Sequence, residues 1–342
     1  MRRIILHIGA VQTGSGVLQR QLTQNRELLF RQGLLYPYSP FEDKGILGNG
    51  IILAKELKKE NFEDRKIAHI INRAISEANG KDILFSSELL ENYDTEALRF
   101  MRKVARNKGY EIVILYYVRA IIDHIVYLYH HAVKNKGLTK KFDEIAPIYL
   151  SKQGHYRFVD VIYKSIKTLG KDNVIVRNYD KIYNKLFQDF LNKVAAIRIN
   201  SEKFKIDNYE PNQPLKEMEL RMLLKMNEQF DDPSYSKYIA DMFISSRDGK
   251  NRFQMSISKD FSDKLGAKYW KDTEFINSLL SEFDKPLNVI ENTNIATEDN
   301  KKKPKFNPFQ STVVSLVGGM AKDISDLKAQ IEAFNEKMAR GE

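Results

Sequence analysis

The stretch that most constrains this chain is Arg3 to Gln19, reading RIILHIGAVQTGSGVLQ. Ile4, Ile5, Leu6 and Ile8 form a short apolar run of the kind buried on both faces of a sheet. Gly9, Gly14 and Gly16 then fall within eight residues. Val17, Leu18 and Leu22 open a helical pattern, with Gln19, Arg20 and Gln21 on its other side. Strand, glycine-rich turn and helix in that order bring backbone N–H groups and a helix N-terminus to one point, which suits a phosphate. The plainer alternative is a βα connection whose glycines only make the turn. Thr13 and Ser15 among three glycines exceed what such a turn needs. An ATPase or kinase loop, GxxxxGK[ST], is disfavoured, because Ser15 stands where its lysine belongs and Gly16 where Ser or Thr belongs.

The stretch HIGAVQTGSGVLQRQL…NRELLFRQGLLYP, His7 to Pro37, resembles the start of bacterial sulfotransferase-family proteins, whose pattern is roughly HIGxxKTGSTxLQxxL…NRxxLxxxGxxYP. The resemblance implies that Thr13, Gly14, Ser15 and Gly16 hold the 5′-phosphosulfate end of 3′-phosphoadenosine 5′-phosphosulfate (PAPS), the co-substrate. The chain departs from the pattern twice. Gln12 replaces the lysine that stabilises charge on the bridging oxygen, and Gly16 replaces Ser or Thr. Looser matches continue to about residue 230. Ile83 to Glu88 is a second buried strand ending SSE, as the family often does, which implies Glu88 as general base for an acceptor hydroxyl. From its residues alone the same stretch reads as Ser and Glu opening a helix over 89–108, and the two roles are compatible. Glu111 to Val118, EIVILYYV, is the clearest strand, and Arg119 follows it. The resemblance implies that Arg119 holds the 3′-phosphate, joined by the residue eight positions on, which is Tyr127 where the family has serine. The plain reading of Arg119 is an ion pair with Asp123. Asn173 to Tyr179 resembles a further family strand, and Arg177 and Tyr179 are read as holding its end.

Composition narrows the chemistry further. The chain has no cysteine, which excludes disulfides, thiolate zinc sites and a cysteine nucleophile. His124, His130 and His131 are spaced by six and one, off the i, i+3 or i+4 pairing of a helical metal site, so no metal is expected. Apolar runs stay far below the ~20 residues of a transmembrane helix. His7 and the glycines break any signal-peptide core after Arg2 and Arg3. A cytoplasmic protein is expected. The formal net charge of +10 favours anionic partners, while the absence of a nucleic-acid module points away from DNA or RNA.

The expected fold is α/β, a central parallel sheet flanked by helices in a P-loop-like three-layer arrangement, with strands near 3–8, 83–87, 111–118 and 173–177. Helices are expected over 17–33, 51–79, 89–108 and 156–169, followed by a helical C-terminal part. The domains are read as 1–290, a charged linker at 291–310 and a tail helix at 311–342. In the tail, apolar residues stand at 313, 317, 320, 324, 327, 331, 334 and 338, an a/d seam suited to self-association or partner docking, the plainer alternative being a helix folded back onto its own domain. The expected function is transfer of a sulfuryl group from PAPS to a hydroxyl of a carbohydrate or cell-surface glycan. The alternative is a catalytically inactive scaffold of the same fold that assembles through its tail.

Overall fold

The computed structural model describes residues 1–46, 48–59, 62–151, 157–197, 204–206, 215–230, 232–245, 255–280, 286–288, 290, 295–298 and most of 314–332. The chain divides into two compact units: Met1–Ala120 with Tyr156–Pro211 and Tyr269–Glu291, and Ile121–His155 with Asn212–Lys268 and Asn292–Glu342. Residues 121–155 and 212–268, taken with the first domain in the sequence reading, thus cluster with the tail.

The first unit holds a five-stranded sheet of β1 (Arg2–His7), β2 (Leu34–Leu35), β3 (Asp82–Ser86), β4 (Tyr110–Val118) and β5 (Val174–Asn178), in the order β2-β3-β1-β4-β5. Every pairing is parallel. Strands buried on both faces have no polar alternation, which is why β1 and β4 read as continuous apolar runs. Parallel neighbours need helical crossovers, and these supply α1 (Ser15–Gln24), α2 (Arg26–Arg31), α3 (Ile51–Leu57), α4 (Asp64–Ala78), α5 (Thr95–Arg106) and, past residue 156, the helix Arg157–Leu169. Ile5, Leu84, Leu115 and Tyr117 pack with Leu18, Leu22, Phe187 and Phe190 on one side. On the other, Tyr116 meets Phe158 edge to face with ring centroids 5.8 Å apart. Burial of each such side chain stabilises the fold by roughly 1.5–3 kcal/mol.

Three helix boundaries differ from the sequence reading. The helix expected over 17–33 breaks at Asn25, whose Nδ2 donates to the Gln21 and Lys205 carbonyls at 2.8 Å while its Oδ1 accepts from the Lys205 N–H. The helix over 51–79 divides into α3 and α4. The helix over 89–108 begins at Thr95, where the Asp94 carboxylate caps the Glu96 and Ala97 N–H groups. Ahead of it Glu88–Asn92 forms a 3₁₀ turn capped by Ser87.

The second unit contains α6 (Ile121–Lys136) and α7 (Phe142–Leu150), with the helices Glu217–Asn227 and Pro233–Ser245. The Asn227 side chain donates to the Val133 and Leu138 carbonyls at 3.0 Å. β6 (Met255–Ser258) pairs in parallel with β7 (Ile295–Glu298). β7 lies within the stretch read as a charged linker, 291–310. Ile295–Glu298 is too short and too polar to announce itself, and the rest of that segment lies outside the described residues.

Candidate active site

The sheet order fixes where a ligand belongs. From β1 the chain crosses to one side of the sheet and from β4 to the other, so the carboxyl ends of these adjacent strands form the topological switch point. The glycine loop follows β1 there, and Arg119 follows β4.

The loop is built by its own backbone. Gly14, at φ 76°, is the N-cap of α1, and its carbonyl accepts from the Leu18 N–H at 3.0 Å. No side chain caps this helix start, and its first turn carries no acidic residue, which leaves the positive end of the helix dipole facing the loop. A Cβ on Gly14 would lie 2.8 Å from Tyr179 Cε2 and 2.9 Å from Leu186 Cδ2, so only glycine fits. Gln12 also has a left-handed backbone, with φ 65°. The Thr13 side chain is buried and donates to the Ala10 carbonyl at 2.6 Å. It therefore braces the loop from within. Gly16 is the second residue of α1.

Glu88 stands against this loop. A Cβ placed on Gly9 would be 3.9 Å from both Cα and Cγ of Glu88, and the Ser15 hydroxyl is near enough to favour the Glu88 carboxylate electrostatically. Ser15 Oγ also lies 3.4 Å from the Ala10 carbonyl. Burial raises the Glu88 pKa, the Ser15 hydroxyl works against that rise, and the nearby Glu91 charge adds to it. Glu88 is thus a half-buried carboxylate of increased basicity beside a helix N-terminus.

Arg119 is buried. Its Nη1 donates to the Gln12 carbonyl at 3.0 Å, and its Nη2 pairs with Asp180 Oδ1 at 3.0 Å. The other Asp180 oxygen accepts the Ala120 N–H, and the guanidinium lies 5.3 Å from the Tyr179 ring centroid. Asp180, 61 residues on in the sequence, grips Arg119. Arg177 makes a separate buried pair with Asp189, which holds the end of β5 in place as the sequence reading had it. Tyr127 is half-buried on α6, in the second unit.

A polar cluster beneath the loop was not anticipated. His7 lies level with Ser86 across β1 and β3, and its Nδ1 is 2.7 Å from Ser86 Oγ, which also accepts from Gln19 Nε2 at 3.1 Å. The Ser86 N–H donates to Asn49 Oδ1 at 2.8 Å, and its carbonyl accepts from the Gly50 N–H at 3.0 Å. Gly48 packs so closely here that an added Cβ would stand 3.0 Å from the Ser86 carbonyl. Burial depresses the His7 pKa to about 3, so the ring is neutral at physiological pH. The only signal in the sequence was that His7 and Ser86 both end strands. Among the described residues no three His, Asp or Glu gather as metal ligands, and no helix is long and apolar enough to cross a membrane.

No protein-family profile matches the chain, and no curated protein matches it. Among solved structures it is similar to the sulfotransferase domain from the curacin biosynthetic pathway, at 11% identity and a TM-score of 0.36, over 79% of this chain and 98% of that domain. The fold stated above rests on strand order and register, independently of that likeness.

Proposed function

We propose that this chain transfers a sulfuryl group from PAPS to a hydroxyl acceptor, a carbohydrate or cell-surface glycan. The observation that carries the reading is the position of Glu88 against the Gly9 end of the loop, where a Cβ would stand 3.9 Å from its Cγ, ahead of a helix whose N-terminus no side chain caps. The residues fit an anionic donor, since the α1 N-terminus favours negative charge and no side chain or acidic residue occupies it. The Gly14–Gly16 backbone would hold the 5′-phosphosulfate. PAPS supplies an activated sulfuryl group on a phosphate leaving group. Glu88 takes the acceptor's proton as the acceptor oxygen bonds sulfur and the bond from sulfur to the phosphate oxygen breaks, releasing adenosine 3′,5′-bisphosphate. Positioning and charge stabilisation carry most of the rate in such in-line transfers.

Gln12 favours a second reading. It brings a hydrogen-bond donor but no charge to the position of the resembled family's lysine, and loss of one preorganised donor costs about 10²–10³ in rate elsewhere. A scaffold that retains the loop without turnover is the alternative. Release of adenosine 3′,5′-bisphosphate from PAPS, measured with a panel of polysaccharide acceptors, separates the two. Transfer predicts turnover that disappears in Glu88→Gln and rises in Gln12→Lys. Binding of adenosine 3′,5′-bisphosphate with no turnover in any of the three would establish the scaffold. A thermal shift with ATP and Mg²⁺ alone would overturn both.

A further inference from the structure

The described part of the tail lies against its own unit by the wrong face. Gly318 is buried so close to Met226 that an added Cβ would be 2.9 Å from its Cγ. Lys322 stands over the Tyr235 ring at 5.5 Å, and Asp326 accepts the Tyr235 hydroxyl proton. Residues 314, 318, 322 and 326 recur every four positions and Val314 is buried, so one apolar, one small and two charged side chains share the inner side of this helix. The apolar residues Val317, Met320, Ile324, Leu327 and Ile331 point away and are 46–64% exposed. A stripe of that length, open to water, is uncommon unless something covers it.

We propose that a second copy of this chain covers it, through a parallel two-stranded coiled coil. Three features select that occupant. Val317, Ile324 and Ile331 take the a positions, while Met320 and Leu327 take d, and the pattern continues in sequence through Phe334 and Met338. β-Branched residues at a with Leu at d favour two parallel strands. In that register the g position is Asp323 and the following e position is Lys328, so each Asp323 faces the partner subunit's Lys328, an opposite-charge pair formed twice. Finally, docking by the other side leaves the described seam residues, Val317 to Ile331, exposed. Lys328 meanwhile donates to the Tyr238 hydroxyl at 2.9 Å, at the edge between docked and open faces.

The mass of the full chain in solution, by light scattering across a concentration series, tests this. A dimer is expected, halving in mass in Ile324→Asp and Leu327→Asp with unchanged circular dichroism and melting temperature, since both side chains are exposed. Asp323→Lys should raise the dissociation midpoint about tenfold or more, and adding Lys328→Asp should restore it. Because the chain lacks cysteine, Leu327→Cys should cross-link quantitatively under mild oxidation if the strands are parallel and in register. A monomer at 100 µM, a trimer, or a dimer indifferent to Ile324→Asp and Leu327→Asp would overturn the proposal. So would a monomer that co-sediments with phosphatidylserine vesicles through Leu327, which would assign the stripe to a membrane surface.

Discussion

Arg119 reaches back across the switch point to donate to the Gln12 carbonyl at 3.0 Å, and so holds a loop residue that is itself in a left-handed conformation. A non-glycine residue at positive φ costs about 1 kcal/mol or more and persists only where its surroundings hold it. Asp180 completes the hold by gripping the same guanidinium and the Ala120 N–H. The loop after β1 is thereby tied to the ends of β4 and β5.

The tie predicts how Asp180 behaves. If Arg119 acts by bracing the loop, Asp180→Ala weakens binding of adenosine 3′,5′-bisphosphate about tenfold, although Asp180 is not assigned to the ligand. If Arg119 instead serves the 3′-phosphate directly, the same change releases its charge and tightens binding. Isothermal titration distinguishes the signs; weaker binding is expected. Removing one partner of a buried pair costs about 3–5 kcal/mol, so the titration belongs well below the melting temperature.

Gly14→Ala should disable the loop while leaving the sheet folded. The new methyl group meets Tyr179 and Leu186 at under 3 Å, on a backbone with φ 76°. Strain and overpacking together predict a loss of roughly 2–4 kcal/mol in urea denaturation. Nucleotide-induced thermal stabilisation should vanish with it.

Glu88 carries a prediction of two signs. Its pKa in the folded chain is raised, chiefly by burial, so its base form appears at higher pH than that of an ordinary glutamate. Turnover should increase with pH along that limb, and Ser15→Ala should move the limb to higher pH by removing the hydroxyl that favours the carboxylate. An acid whose folded pKa is raised contributes stability below its unfolded pKa and loses it as pH climbs through the folded value. Glu88→Gln should therefore melt higher than the wild type at pH 7 while losing about 10²–10⁴ in kcat. Melting curves and a pH–rate profile read the two effects independently.

What the sequence disclosed follows from the physics of each element. β1, β3, β4 and β5 were legible because strands buried on both faces must be continuous apolar runs. The turn after β1 was legible because three glycines within eight residues end a strand. The break at Asn25 was not, since it depends on Lys205, 180 residues away. Asp180 was equally silent: an aspartate after a strand is ordinary until the fold sets it against Arg119. The tail's period of 3.5 was plain, whereas the choice of face turned toward Tyr235 and Met226 belongs to tertiary packing alone.

His7 carries the clearest expectation for acid stability. Its pKa falls from an ordinary 6.5 to about 3 because burial disfavours the imidazolium, while the unfolded chain protonates near the ordinary value. A base whose folded pKa is depressed contributes stability above its unfolded pKa and loses it as pH falls toward the folded one. The window is therefore about pH 6.5 down to pH 3, with a limiting slope of about 1.4 kcal/mol per pH unit. Between pH 7 and pH 5 this group alone should remove about 2 kcal/mol. His7→Gln retains a polar side chain beside Ser86 but does not titrate, so its urea midpoint should decline less steeply over the same range. Parallel slopes for the two proteins at pH 7, 6 and 5 would show that His7 is protonated in the folded chain and that the cluster with Ser86 and Gln19 admits the charge.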